Sequence, residues 1–311
     1  MSKPNFFIVG APKCGTTALC EYLRKHPNIF ISLTKEPHYF ATDFPGYRTV
    51  TNEKDYLALF DEANRNQSAI GEGSVFYMYS RKAIQNIWNY NNKAKLIIML
   101  RNPCDLVYSM HSQLLYTRDE DVKEFSEAWN LNKQRKLGLN VSKQCRDRQI
   151  LYYDKIAKMG EQVERLLDVF PREQIKIVYF DDFIRNTHIY YKEVLEFLGL
   201  PDDNRKEFPK VNENKRHKWD KLADFTERPP KTLVHFAQSF KKIPGVRSGL
   251  LSAMEIVRKT NENKGPRHAL SQEFREKLIA EYRGDILKLS QITNKDLSHW
   301  IEAESKIERC K

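Results

Sequence analysis

The sequence predicts a doubly wound α/β fold, with central parallel strands flanked by helices, and three observations carry that prediction. Short, largely apolar runs recur at residues 6–9, 29–33, 96–100 and 175–180, too short for helices and suited to strands buried on both faces. Stretches with apolar residues at helical spacing lie between them, at 150–169, 190–198 and 271–291. Two of the strand runs break directly into loops that open helices, the arrangement that gathers functional groups at the carboxyl ends of parallel strands.

The first strand, residues 6–9, runs into Gly10-Ala11-Pro12-Lys13-Cys14-Gly15-Thr16-Thr17 and then a helix. The first turn of a helix has free backbone N–H groups and a positive dipole end, so this loop is an anion cradle. Gly10 and Gly15 allow close backbone approach, Lys13 adds a mobile positive charge, and Thr16 and Thr17 add hydroxyl donors. The loop is P-loop-like without being the nucleoside-triphosphate P-loop, G-x-x-x-x-G-K-[ST], because Lys13 precedes Gly15 and Thr16 follows it.

The run Leu96-Ile97-Ile98-Met99-Leu100 reads as a second central strand and ends on Arg101. A nucleotide kinase needs an acid near that point to hold Mg²⁺, whereas an arginine grips phosphate by its planar fork and repels a metal. Asn102-Pro103 then starts a helix that carries Ser109. A third basic element, Asn263-Lys264-Gly265-Pro266-Arg267-His268, precedes the helical stretch from Ser271. Residues 29–33 form a short strand followed by Lys35-Glu36-Pro37-His38-Tyr39-Phe40, a segment that returns to the same rim of the sheet. Gly71-Glu72-Gly73-Ser74, with Tyr77, closes another central strand.

These segments together resemble the sulfotransferases that use 3′-phosphoadenosine 5′-phosphosulfate (PAPS), in particular the glycan or heparan-type branch and its soluble bacterial-like forms. The likeness covers roughly residues 5–200 and 260–300. It implies that Pro12, Lys13, Cys14, Gly15, Thr16 and Thr17 form the 5′-phosphosulfate loop. Arg101, Ser109 and the Lys264, Gly265, Arg267 loop would then hold the 3′-phosphate. Glu36 matches the glutamate that serves as general base in heparan-type enzymes. His38 is the runner-up, because the hydroxysteroid and phenol branch uses a histidine. Lys35 would keep Glu36 ionised or contact substrate. In the strand-end segment Gly73 stands where the family has a lysine, so Glu72 is expected to orient Lys13 or Lys35 by a charged hydrogen bond, and Ser74 to face the acceptor. Phe180 replaces a tyrosine that helps hold adenine in relatives, which preserves stacking and loses a hydroxyl contact. Asp181-Asp182 reads as helix capping in preference to metal binding.

At 311 residues and 41% hydrophobic content the chain can bury a full core, and no Pro- or Gly/Ser-rich linker divides it. It therefore reads as a single sulfotransferase domain, residues 1–311. Of the formal charge of +11, the stretch Arg205 to Arg267 supplies +9, from 16 cations and 7 anions. Residues 205–262 of that stretch read as a basic lid or acceptor-side insertion, or alternatively as a solvated surface. Its aromatics, Trp219, Phe225, Phe236 and Phe240, are not interleaved as in nucleic-acid readers, so no nucleic-acid partner is expected. Five cysteines at irregular spacing point to reduced thiols, with Cys14 either activated or simply packed. No run reaches the ~18 apolar residues of a transmembrane helix, and the first strand begins at once after Met-Ser-Lys-Pro, so a cytoplasmic location is expected.

The expected activity is sulfuryl transfer from PAPS, as co-substrate, to a hydroxyl or amine of an acceptor, with no metal required. Glycan, lipid and carrier-bound acyl acceptors all remain open at this point. The alternatives are a nucleotide kinase or NTPase, and a non-catalytic protein that binds nucleotide or anionic glycan.

Overall fold

The computed structural model describes residues 3–211, 215–217, 260–264 and 269–302. These divide into two compact units, one formed by residues 1–107, 152–212 and 270–311, the other by residues 108–151 and 213–269.

The first unit is built on five parallel strands, β1 (Phe6–Gly10), β2 (Ile29–Ile31), β3 (Ala69–Gly73), β4 (Lys95–Leu100) and β5 (Ile175–Tyr179), in the order β2-β3-β1-β4-β5. Every residue of β1 is buried, and so is β4 beyond Lys95, which is why the most continuous apolar runs occupy the centre. From β1 the chain crosses to the β2 edge, returns inward through β3 and then passes beyond β1 to β4 and β5, so the topological switch lies beside β1, where ligands of open α/β sheets bind. Phe7 is in register with both Glu72 and Leu96, and this alignment brings the ends of β1, β3 and β4 to one rim.

In chain order the helices are α1 (Thr16–Arg24), α2 (Glu53–Ala58), α3 (Ala83–Tyr90), α4 (Pro103–Tyr116), α5 (Phe125–Asn130), α6 (Asn132–Lys136), α7 (Tyr153–Ile156), α8 (Met159–Leu167), α9 (Phe180–Arg185), α10 (Thr187–Leu198) and α11 (Gln272–Thr293). The long α11 buries Leu278, Ile279, Tyr282, Ile286 and Leu289 on one stripe. Ser271 caps its start and left-handed Asn294 (φ 52°) its end. No described helix is long and apolar enough to cross a membrane.

Three expected boundaries change. The stretch 150–169 is not one helix: a 3₁₀ turn (Arg148–Leu151) and α7 precede α8. The cause is tertiary, since the Asp285 carboxylate on α11 accepts the N–H groups of Gly160 (2.8 Å) and Glu161 (2.9 Å) and so starts a new helix there. Strand β2 stops at Ile31; Ser32 still donates to the Gly71 carbonyl, but Leu33 is exposed. Phe180 opens α9 instead of closing β5, and Asp181 and Asp182 occupy its first turn, where acids complement the dipole.

The second unit contains α5, α6 and an antiparallel pair, β6 (Lys215–His217) with β7 (Glu262–Lys264). Its interior holds Phe125 and Trp129 together with a buried ion pair, Arg135 to Glu120 at 2.7 Å.

Candidate active site

The loop after β1 has the conformation its glycines require. Gly10 and Gly15 take φ of 151° and 88°, and a Cβ at Gly15 would lie 2.9 Å from the Phe180 ring. Gly15 is also the N-cap of α1, so the helix starts with no side-chain cap and no acid in its first turn. The positive end of α1 is left open beside Thr16 and Thr17, an arrangement suited to an anion.

Arg101, at the end of β4, reaches this loop directly. Its Nη1 donates to the Lys13 carbonyl at 3.2 Å, and its guanidinium lies over the Phe180 ring at 4.6 Å. Its Nε is buried without a hydrogen-bond partner, a donor left for a ligand. Phe180 thus touches both the arginine and the glycine loop. Cys14 is fully buried, its thiol donating to the Pro12 carbonyl, and burial pushes its pKa up to about 12 against the pull of Arg101. Of the two roles open to Cys14, packing is the one the structure supports.

The segment after β2 supplies the carboxylate. Glu36 (φ 53°) and His38 (φ 50°) are both left-handed, as is Lys13 (φ 63°); these are conformations that non-glycine residues hold only when their surroundings impose them. The Glu36 side chain is 29% exposed, while His38 is 1% exposed and stacks on Phe76 at 5.2 Å. His38 Nε2 stands 3.5 Å from Glu36 Oε2, and neither ring nitrogen has a hydrogen-bond partner. Burial raises the Glu36 pKa, but the His38 ring, Lys35 and Lys13 outweigh it and hold the carboxyl below its ordinary value.

Glu72 behaves differently. It is 1% exposed and accepts from Ser74 Oγ (2.6 Å), Tyr77 OH (2.6 Å) and Tyr56 OH (3.2 Å). Burial raises its pKa, offset only partly by those hydroxyls and by His38. Three buried hydroxyls thus bond Glu72, a neutral set of donors beside the charged role expected of it. Ser74 is buried, donating to Glu72 and accepting the His38 backbone N–H at 3.0 Å, so it does not face an acceptor as expected. Gly73 is small for a packing reason, since a Cβ there would lie 2.8 Å from Cys20 Sγ. Tyr56 was not singled out from the sequence, and its distance along the chain from Glu72 leaves no local pattern to find it by.

A cleft of about 240 Å³ joins the two segments, with Thr16, Thr17, Lys35, Glu36 and Gly73 in its lining. Ser109 is buried in α4, and Lys264 is the last residue of β7, paired with Lys215. Gly265 and Arg267 lie outside the described residues, as do residues 218–259 of the basic stretch. Among the described residues no cluster of His, Cys, Asp or Glu is arranged to hold a metal ion.

Fold and site together define a parallel α/β protein with an open helix start and a stacked arginine, an arrangement suited to an anion. A family model described as the sulfotransferase domain matches residues 3–286, and the chain belongs to that family. The chain is 27% identical to mouse carbohydrate sulfotransferase 15 over 251 residues, covering 63% of this chain and 44% of that protein. It is 26% identical to mouse heparan sulfate glucosamine 3-O-sulfotransferase 5 over 198 residues, covering 64% and 54% respectively. It thus spans about half the length of these curated relatives or less. The crystal structure of a sulfotransferase from Alicyclobacillus acidocaldarius superimposes with a TM-score of 0.71 at 27% identity, covering 97% of this chain and all of that one.

Proposed function

We propose that this protein transfers the sulfuryl group of PAPS to a hydroxyl or amine of a glycan acceptor. The observation that carries this reading is the union of two strand ends: Arg101, at the end of β4, donates to the carbonyl of Lys13 in the loop that opens α1, so two strand ends that each carry a cation meet at one surface. That surface suits a donor with phosphate groups at both ends. Family membership supports the reaction, and the names of the carbohydrate and heparan sulfate relatives support the acceptor class. At the end of β4, where a kinase needs a metal-holding acid, this chain carries Arg101.

In the proposed mechanism the N–H groups at the start of α1, with Lys13, Thr16 and Thr17, hold the 5′-phosphosulfate. Arg101 holds the 3′-phosphate. Glu36, kept ionised by its neighbours, takes the proton from the acceptor as the acceptor oxygen or nitrogen bonds to sulfur. The bond from sulfur to the 5′-phosphate oxygen breaks in the same step, and Lys13 stabilises the charge that develops on that oxygen. His38 lies behind Glu36 and adds to the field that keeps the carboxylate charged.

Calorimetry with 3′-phosphoadenosine 5′-phosphate (PAP), against ATP with Mg²⁺, tests the donor. PAP alone is expected to bind, and preference for Mg-ATP would overturn the reading. With labelled PAPS and a panel of glycans, lipids and acyl carriers, transfer is expected to a glycan and to be abolished in Lys13→Ala. Transfer to lipid or acyl carrier alone would replace the acceptor class, and undiminished turnover in Lys13→Ala would remove the assignment of the loop.

A further inference from the structure

One feature of the second unit takes no part in the reaction. Among the described residues Leu137 is the most exposed large apolar side chain, at 77%, and Leu139 two positions on is 57% exposed. A single exposed leucine is ordinary, but two on one turn are unusual when that turn is held rigid. Gly138 sits between them at φ 83°. The turn is tied by backbone bonds from Leu137 and Leu139 to the Gln134 carbonyl, both 3.0 Å, and from Gly138 to the Arg135 carbonyl at 2.9 Å.

Beneath it, fully buried Arg135 fixes both flanks, donating to the carbonyls of Ala128 (3.3 Å) and Asn140 (3.2 Å) and to Glu120 (2.7 Å). The protein thus commits a buried ion pair to holding two leucines in water. The surrounding charge is positive. Arg148 packs on the turn, its Nη1 only 2.8 Å from where a Cβ on Gly138 would be. Lys133, one helical turn before the C-cap residue Leu137, is exposed. Lys143, in the irregular segment that follows, is exposed as well. Of the acids close by in sequence or structure, Glu120 is paired with Arg135 (2.7 Å) and Asp147 accepts the N–H of Gln149 at Oδ1 (3.0 Å).

We propose that this turn is a membrane-docking tip. Leu137 and Leu139 insert at the boundary between headgroups and acyl chains, while Lys133, Lys143 and Arg148 contact anionic headgroups, so that the chain is held peripherally on an anionic lipid surface. Exposed apolar side chains with cations close to them suit a bilayer interface. An anionic polysaccharide offers partners to the cations but none to the leucines.

The test is co-sedimentation of the full chain with phosphatidylcholine vesicles containing about a third phosphatidylserine, and with phosphatidylcholine alone. Binding to the anionic vesicles is expected to be at least about tenfold the tighter. The double variant Leu137→Ser/Leu139→Ser should lose at least about tenfold of that binding while PAP affinity, which reports the folded state, stays the same. In a second measurement, Leu139→Trp should bind more tightly and show blue-shifted fluorescence on vesicle addition. Absence of binding to anionic vesicles overturns the proposal, as does binding that the serine pair leaves unchanged. Binding to a chondroitin sulfate oligosaccharide alone, indifferent to the leucines, assigns the cations to a polysaccharide and overturns it too.

Discussion

Glu36 and Glu72 share a residue type and the same rim of the sheet, yet their surroundings drive them in opposite directions. Glu36 is partly exposed and faces the His38 ring, Lys35 and Lys13, so its ionised form is favoured despite burial. Glu72 is sealed from water and faced by three hydroxyls, which bond it well but bring no charge, so burial prevails. Charged neighbours prepare a carboxylate for chemistry, whereas neutral donors turn it into a bracket. The bracket is still connected to the site, because Ser74 links Glu72 to the backbone of His38.

The largest expected effect lies in Glu36→Gln, which should lower kcat by about 10²–10⁴-fold and leave PAP affinity unchanged in calorimetry. Equal turnover would place the base elsewhere and dissolve the comparison. Next, Glu72→Ala leaves three buried hydroxyls without their acceptor and should cost about 3 kcal/mol in urea unfolding, with a much smaller loss of turnover per folded molecule. A catalytic loss as large as that of Glu36→Gln would assign Glu72 to the chemistry. The smallest effect sharpens the electrostatic half. The depressed Glu36 pKa means that activity is retained above that pKa and lost as pH falls through it. Lys35→Met removes one of the groups lowering it, so the acid limb of the pH–rate profile should move to higher pH. A limb that stays in place would show that His38 and Lys13 suffice.

The glycine loop and the strand end at Arg101 were legible because their requirements are written locally. A backbone that must approach an anion takes glycine at Gly10 and Gly15, and a central strand announces its end by losing its apolar run, as at Arg101. The parallel sheet was legible for the same reason. What escaped depends on partners distant in sequence. Nothing near Glu72 indicates that Tyr56 will be its donor, and nothing near Gly160 indicates that Asp285 will start α8. Lys13, Glu36 and His38 all adopt left-handed backbone without being glycine, so the conformation leaves no mark in the residue type. Phe180 was legible as an aromatic at a strand end, but its place between Arg101 and Gly15 required the sheet order to be known.

The bond from Asp285 to the start of α8 also constrains how the chain is made. The sheet-bearing unit is completed by α11, whose Asp285 receives Gly160 and Glu161 and whose Tyr282 hydroxyl donates to the Tyr153 carbonyl at 2.6 Å. A nascent chain emerging from the ribosome has therefore made all five strands while α8 still lacks its clasp. This unit reaches its final form only after translation has passed residue 285, so the growing polypeptide depends on a late arrival for a joint laid down more than a hundred codons earlier.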